Sequence, residues 1–221
     1  PSAILSFNPH PRQFFSRELD QYQILSEEKK QLIFTELGID HYFCLKFDEL
    51  LSNLSPVDFI KKIIVDQLKV EKLIIGYDFR FGKDRKGDTN LLLDHGKIHG
   101  FNLETIEKIT NPKTKDPYSS TKIRECIRTG EIEEANLLLG RPWSMQGKVI
   151  HGDKRARKMN FPTANILPHN EIYPLKGVYA VNIKFGDEIH KGIANFGIRP
   201  TVAGEKLLLE AHLFDFDRDI Y

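Results

Sequence analysis

The apolar pattern of this chain changes character once, at Arg141-Pro142, and no other feature limits the possible folds so strongly. Up to about Gly140, short apolar runs alternate with helical periods. Residues 3–7, 42–45 and 72–76 are runs of four or five residues bounded by turn formers, which predicts buried strands. Residues 26–38 predict a helix, with Ser26 as N-cap and Gly38 just past the end. Ser55-Pro56 pairs a capping residue with a proline at the first helical position, and Ile60, Ile63, Ile64 and Leu68 then share one face. Residues 120–129 and 131–139 predict two more helices, split at Gly130. Strands alternating with helices point to a parallel α/β sheet.

Beyond Pro142 the helical period disappears. Residues 147–151, 178–185, 189–196 and 207–216 are strand-like, and Gly- and Pro-bearing turns separate them. Such short spacing suggests an antiparallel barrel or sandwich. Two domains of different class are therefore expected, joined near residues 140–146. The chain opens at Pro1 almost inside an apolar run and stops at Tyr221 just after a strand-like one, so both ends are expected to cut through structure.

Composition excludes more than it specifies. Thirty-two Lys and Arg oppose 31 Asp and Glu, so bulk charge draws the chain to neither nucleic acid nor an anionic membrane. A bound polyanion has to be held by a local cluster. Only Cys44 and Cys126 are present, with no C-x-x-C spacing, which argues against a disulfide framework or a zinc ribbon and for reduced thiols. No apolar run approaches the ~20 residues of a membrane helix, and a cytoplasmic protein is expected. Oligomeric state is not legible.

Three segments of the first domain carry candidate chemistry. Phe7-Asn8-Pro9-His10-Pro11 follows the first strand, where parallel sheets bind ligands, and His10 offers a ring N–H to a phosphate. Gly76-Tyr77-Asp78-Phe79-Arg80-Phe81-Gly82 follows the third predicted strand with aromatics suited to a flat ring. Ser120, Thr121 and Arg124 open a helix, whose unpaired N–H groups suit phosphate. Each has a bland alternative: a stiff surface turn, an aromatic anchor for a loop, and a plain Ser cap.

In the second domain, His151-Gly152 leads into Lys154, Arg155, Arg157 and Lys158, which are either a phosphate-neutralising cluster or a solvated basic turn. Thr163 and Asn165 lie two residues apart in an extended segment, and both are oxygen donors suited to Mg²⁺. Residues 209–216 alternate apolar with polar, placing Glu210 and His212 on one face. A lone strand carboxylate is ordinarily solvated.

Taken in order, F-x-P-H-P at Phe7, G-x-D-F-R-F-G at Gly76 and S-S-T-x-I-R at Ser119 resemble the FAD synthetase module of the bacterial bifunctional riboflavin kinase/FAD synthetases. That resemblance implies a Rossmann-like nucleotidyltransferase over residues 1–141 that moves AMP from ATP onto FMN and releases pyrophosphate. His10, Ser120, Thr121 and Arg124 would contact ATP phosphates, with Arg124 acting on the leaving group. Phe7, Pro9, Gly76, Asp78 and Phe79 would shape the flavin pocket. The family's upstream segment with two histidines is absent, since no H-x-x-H or H-x-G-H spacing occurs.

Downstream, H-G…F-P-T-A-N, P-x-x-G-V-Y-A-V, A-N-x-G-x-R-P-T and L-E-A-H-L-x-D-F resemble the family's riboflavin kinase module. It implies an antiparallel β-barrel over residues 142–221, without its C-terminal end, that phosphorylates riboflavin to FMN. Gly152, Thr163 and Asn165 would bind ATP phosphates, Thr163 and Asn165 would hold Mg²⁺, Glu210 would be the general base, and Asn165 would also be catalytic. Ala156 and Asn160 stand where the family pattern has glycines, and at positive φ Ala156 would be strained. The expected ligands are thus ATP, Mg²⁺, riboflavin, FMN and FAD. Alternatives are a catalytically impaired flavin-binding fragment, a nucleotidyltransferase for a coenzyme A precursor, and, more weakly, a nucleic-acid binder.

Overall fold

The computed structural model describes residues 1–16, 21–112, 115–150, 163–169, 171–201, 204–216 and 218, with backbone alone at 199–201 and 204–206. In chain order the elements are β1 (Ala3–Asn8), α1 (Pro11–Phe15), α2 (Glu27–Glu36), β2 (His41–Lys46), α3 (Glu49–Ser52) and α4 (Pro56–Phe59). A π-helical stretch Ile60–Gln67 continues α4. There follow β3 (Lys72–Gly76), a 3-10 turn Lys83–Arg85, α5 (Thr89–His99), β4 (Asn102–Ile106), α6 (Ser120–Thr129) and α7 (Ile132–Leu139). The last part is strand: β5 (Gly147–Ile150), β6 (Ala164–Pro168), β7 (Gly177–Phe185), β8 (Glu188–Thr201) and β9 (Gly204–Leu213). No helix among the described residues is long and apolar enough to cross a membrane. Neither cysteine is in a disulfide.

These elements form two compact units. One comprises Pro1–Leu19 and Ile39–Tyr118, the other Asp20–Gly38 and Ser119–Tyr221. In the first, β1 pairs with β2 and β3 with β4, both in parallel register, as two separate two-stranded sheets. The parallel α/β expectation holds, but the strands are less buried than their apolar runs predict. Of β1–β3 only Ile75 is buried, and Ile74 is 52% exposed. A strand in a two-stranded sheet keeps an open edge, so apolarity alone cannot close it off.

The core of this unit forms on the helix that Ser55 starts. The Ser55 hydroxyl accepts the Asp58 N–H, Pro56 sits at N1, and the face predicted from spacing buries Ile60, Ile63 and Ile64. They pack with Phe59, Ile75, Phe81, Leu92 and Phe101. Helix α5 and strand β4 were not foreseen. Their signals are present in Asp88, which caps α5 by accepting the Leu91 N–H, and in Gly100, which ends it at φ 81°.

In the second unit, α6 and α7 cover a cluster of Ile123, Cys126, Ile127, Ala135 and Ile172. Ser119 caps α6, and Gly130 and Gly140 close α6 and α7 in the left-handed conformation. Residues 21–26 lie against this cluster as a strap. Gln23 bridges Glu171 in parallel, the Ile172 N–H donates to the Gln23 carbonyl, and Trp143 Nε1 donates to the Ile24 carbonyl at 3.0 Å. The remaining strands make one antiparallel sheet in the order β5-β6-β9-β8-β7. One face is packed, with Ala164, Ala194, Phe196, Ala211 and Leu213 all buried.

Candidate functional site

Strand register decides what lies on the other face of the five-stranded sheet. Asn165 of β6 pairs with Glu210 of β9, and Glu210 pairs on its far side with Asn195 of β8. Side chains directly opposite in an antiparallel pair sit with Cβ atoms about 4.5–5.5 Å apart on the same face. One carboxylate therefore has an amide-bearing residue on each flank, above a row of three alanines: Ala164, Ala211 and Ala194. His212 shares the face with Glu210, and Thr163 immediately precedes β6.

Burial is uneven along the row. Asn165 is 5% exposed, and its Oδ1 has no hydrogen-bond partner. A buried polar atom left unpaired costs about 1–3 kcal/mol, so such an atom is a strong candidate to meet a ligand. Glu210 is half-buried and Asn195 exposed. An amide oxygen at Asn165 and a hydroxyl at Thr163 are hard neutral donors, the chemistry that Mg²⁺ selects. Those residues fit the cation. Gly152 and the basic run after it lie outside the described residues.

Within the first unit, His10 caps α1. Its Nδ1 accepts the Arg12 N–H at 3.1 Å, while the Gln13 side chain accepts the His10 backbone N–H. With Nδ1 accepting, the neutral ring carries its proton on Nε2. The Asn8–Pro9 bond before it is cis. Phe7 packs into the core, edge-on to Phe47 with centroids 5.8 Å apart and near Phe59.

The Gly76–Gly82 loop is anchored from its middle. Phe79 stacks on Phe81 at 5.7 Å, Phe81 is buried against Phe59, and Tyr77 and Asp78 are exposed. The strands that deliver Phe7–His10 and Gly76 belong to different two-stranded sheets, not to one sheet edge as the strand pattern suggests. A hollow in this unit, lined by Leu45, Lys46, Asp48, Leu51, Lys62 and Ile63, contains none of the nominated residues.

Ser120, Thr121 and Arg124 belong to the second unit. Ser120 and Thr121 are exposed in the first turn of α6, which Ser119 rather than Ser120 caps. Arg124 is only 8% exposed. Its Nε donates to the Tyr22 carbonyl at 2.8 Å and one terminal nitrogen to Ser120 Oγ at 3.0 Å, while its guanidinium carbon stands 3.7 Å over the Tyr22 ring. Sequence spacing cannot show that attachment, because Tyr22 lies 102 residues away. The position of Asn195 opposite Glu210 is likewise a matter of register and not of spacing.

An FAD synthetase family match covers residues 1–122, and a riboflavin kinase family match covers residues 139–221. The chain is similar to the bifunctional riboflavin kinase/FMN adenylyltransferase of Pseudomonas fluorescens, 38% identical over 222 residues, covering 100% of this chain and 70% of that protein. The protein of the same description from Escherichia coli strain K12 is 35% identical with the same coverage. That from Bacillus subtilis strain 168 is 37% identical over 227 residues, covering 99% of this chain and 70% of the relative. Among solved structures, one described as a macrolide-efflux protein from Streptococcus pneumoniae matches with TM-score 0.85 at 27% identity, over 100% of this chain and 71% of that one. With two such family matches in tandem and these relatives aligned along essentially all of its length, the chain belongs to the bifunctional riboflavin kinase/FMN adenylyltransferase family.

Proposed function

We propose that this chain serves flavin cofactor synthesis in the cytoplasm, phosphorylating riboflavin to FMN in its C-terminal part and adenylylating FMN to FAD in its N-terminal part. The domains divide at residues 141 and 142, and the five-stranded sheet belongs to an antiparallel barrel. The observation that carries the kinase reading is the pairing of Asn165 with Glu210, which sets a carboxylate beside a buried amide whose oxygen is unpartnered.

In that reading Glu210 accepts the proton of the ribityl 5′-hydroxyl. The oxygen forms a bond to the γ-phosphorus of ATP, the bond from that phosphorus to the β,γ-bridging oxygen breaks, and ADP leaves. Such a reaction asks little covalent chemistry of the protein and depends on positioning and charge neutralisation. Thr163 and Asn165 would hold Mg²⁺, which would neutralise phosphate charge when bound. Gly152 is assigned to the ATP phosphates as well.

In the adenylyl transfer, an FMN phosphate oxygen attacks the α-phosphorus of ATP and pyrophosphate departs. His10 donates from Nε2 to ATP phosphates, and Ser120, Thr121 and Arg124 hold the departing group. Phe7, Pro9, Gly76, Asp78 and Phe79 shape the flavin side, with Phe7 acting through the core packing that fixes the loop after β1.

The test is incubation with riboflavin, ATP and Mg²⁺, with FMN and FAD resolved by chromatography. FMN is expected from the unmodified chain. Glu210→Ala should lower its rate by about a hundredfold or more, the scale of general-base catalysis. Undiminished FMN production by Glu210→Ala would remove the base.

A further inference from the structure

Glu210 has two cross-strand neighbours, and the kinase reading uses only one of them. We propose that Asn195 is a positioning residue for Glu210: its amide N–H holds one carboxylate oxygen so that the other faces the substrate hydroxyl. This rests on the reading of Glu210 as the base.

Asn195 has only two residues directly opposite it. On β7 its partner is Val178, an apolar side chain that offers no hydrogen bond, and on β9 it is Glu210. Asparagine is disfavoured inside strands, yet Asn195 sits mid-strand in β8, on the face that leaves Ala194 and Phe196 to the core. The amide lies along the strand towards Gly197, whose absent Cβ would be 3.9 Å from Asn195 Oδ1 and 4.0 Å from Nδ2.

An ionised carboxylate only accepts hydrogen bonds, and an amide N–H is a neutral donor suited to it. Asn165 is placed differently, buried on the opposite flank with an oxygen available for a cation. The row Asn165, Glu210, Asn195 thus divides labour: one amide for the metal and phosphates, the carboxylate for the proton, the other amide for the carboxylate.

The experiment is steady-state FMN formation by the full chain with riboflavin, ATP and Mg²⁺, comparing Asn195→Leu, Asn195→Ser, Glu210→Gln and the double variant Asn195→Leu with Glu210→Gln. Asn195→Leu should lower kcat about 10–100-fold, the cost of a misplaced reacting group, with KM for both substrates within about twofold. Asn195→Ser, which restores a short donor, should recover part of the loss. In the Glu210→Gln background, Asn195→Leu should have no further effect, because Asn195 acts through the carboxylate. A merely structural residue would lower both backgrounds equally, and that outcome overturns the proposal, as does an unchanged kcat in Asn195→Leu. If Asn195→Leu does not fold, Asn195→Val, matched to a strand, takes its place. A Glu210→Gln protein with unmodified turnover is a separate result: it removes the base, and Asn195's role with it. Absence of FMN formation by the unmodified chain removes both.

Discussion

Arg124 shows how one side chain can be read correctly as important and incompletely as to why. Its place in S-S-T-x-I-R suggests a phosphate clamp, and that role remains the proposal. The structure adds that the guanidinium is buried, bonded to the Tyr22 carbonyl and stacked on the Tyr22 ring. Charge-assisted hydrogen bonds contribute about 1.5–3 kcal/mol, and a desolvated cation–π contact about 2 kcal/mol. Arg124→Ala should therefore lose FAD formation and also destabilise the fold by roughly 2–4 kcal/mol, read as a fall in the urea midpoint. An unchanged midpoint would mean that the Tyr22 contacts contribute nothing.

Glu171 is the complementary case, a residue without any sequence signal. It is 2% exposed, and its Oε2 has no partner. Burial pushes its carboxyl above the ordinary value of 4.5, the approach of Glu28 adds to this, and His169 and a Gln146 backbone N–H oppose it. A carboxyl raised in the folded state favours folding below its unfolded value and loses that advantage as pH rises through the folded one. Glu171→Gln cannot ionise, so its stability relative to the unmodified protein should grow as pH climbs from about 4 to 8, measured by urea unfolding across that range. A difference that is flat with pH would contradict this.

At the scale of elements, legibility follows the range of the interaction that fixes each one. Local signals served well: Ser26, Ser55 and Ser119 cap α2, α4 and α6, and Gly130 and Gly140 end α6 and α7. Strand β8 runs past residue 196 to Thr201, and β9 starts at Gly204 and ends at Leu213 instead of spanning 207–216, because the two pair with each other through to Thr201 and Gly204. Sheet membership was not legible, since nothing local tells β1 and β3 that they lie in different two-stranded sheets. The Gly76–Gly82 loop mixes both kinds. Gly82 adopts φ 70°, and a Cβ there would meet the Pro56 Cα at 2.7 Å. Gly82→Ala should thus strain the backbone and push on the start of α4, lowering stability by about 1–3 kcal/mol in a chemical unfolding curve. A neutral result would show that the loop can move off α4 without consequence.

At the scale of the whole molecule, the texture change at Arg141-Pro142 marks where the strand-rich part begins, but compactness is divided elsewhere. Residues Asp20–Gly38 and the helices α6 and α7 cluster with the five-stranded sheet, so the chain passes between the two units at three places. The attachments are specific. Ile172, fully buried, packs with Ile123, Cys126 and Ile127 of α6 and donates its backbone N–H to the Gln23 carbonyl of the strap. Leu175 donates its N–H to the Ile127 carbonyl. A polypeptide of residues 142–221 alone would expose Ile172 and leave those backbone groups without partners. Burial of one such side chain contributes about 1.5–3 kcal/mol, and each lost hydrogen bond about 1 kcal/mol more, a large share of a domain's ~5–15 kcal/mol. That fragment is expected to show weak near-ultraviolet dichroism and a broad thermal transition. A fragment that also carries residues 119–141, and so restores α6 and α7 but not the strap at 21–26, should recover part of the cooperativity. Equal cooperativity in the two fragments would show that the sheet stands without its helices, and that the boundary visible in the sequence is also the boundary of folding.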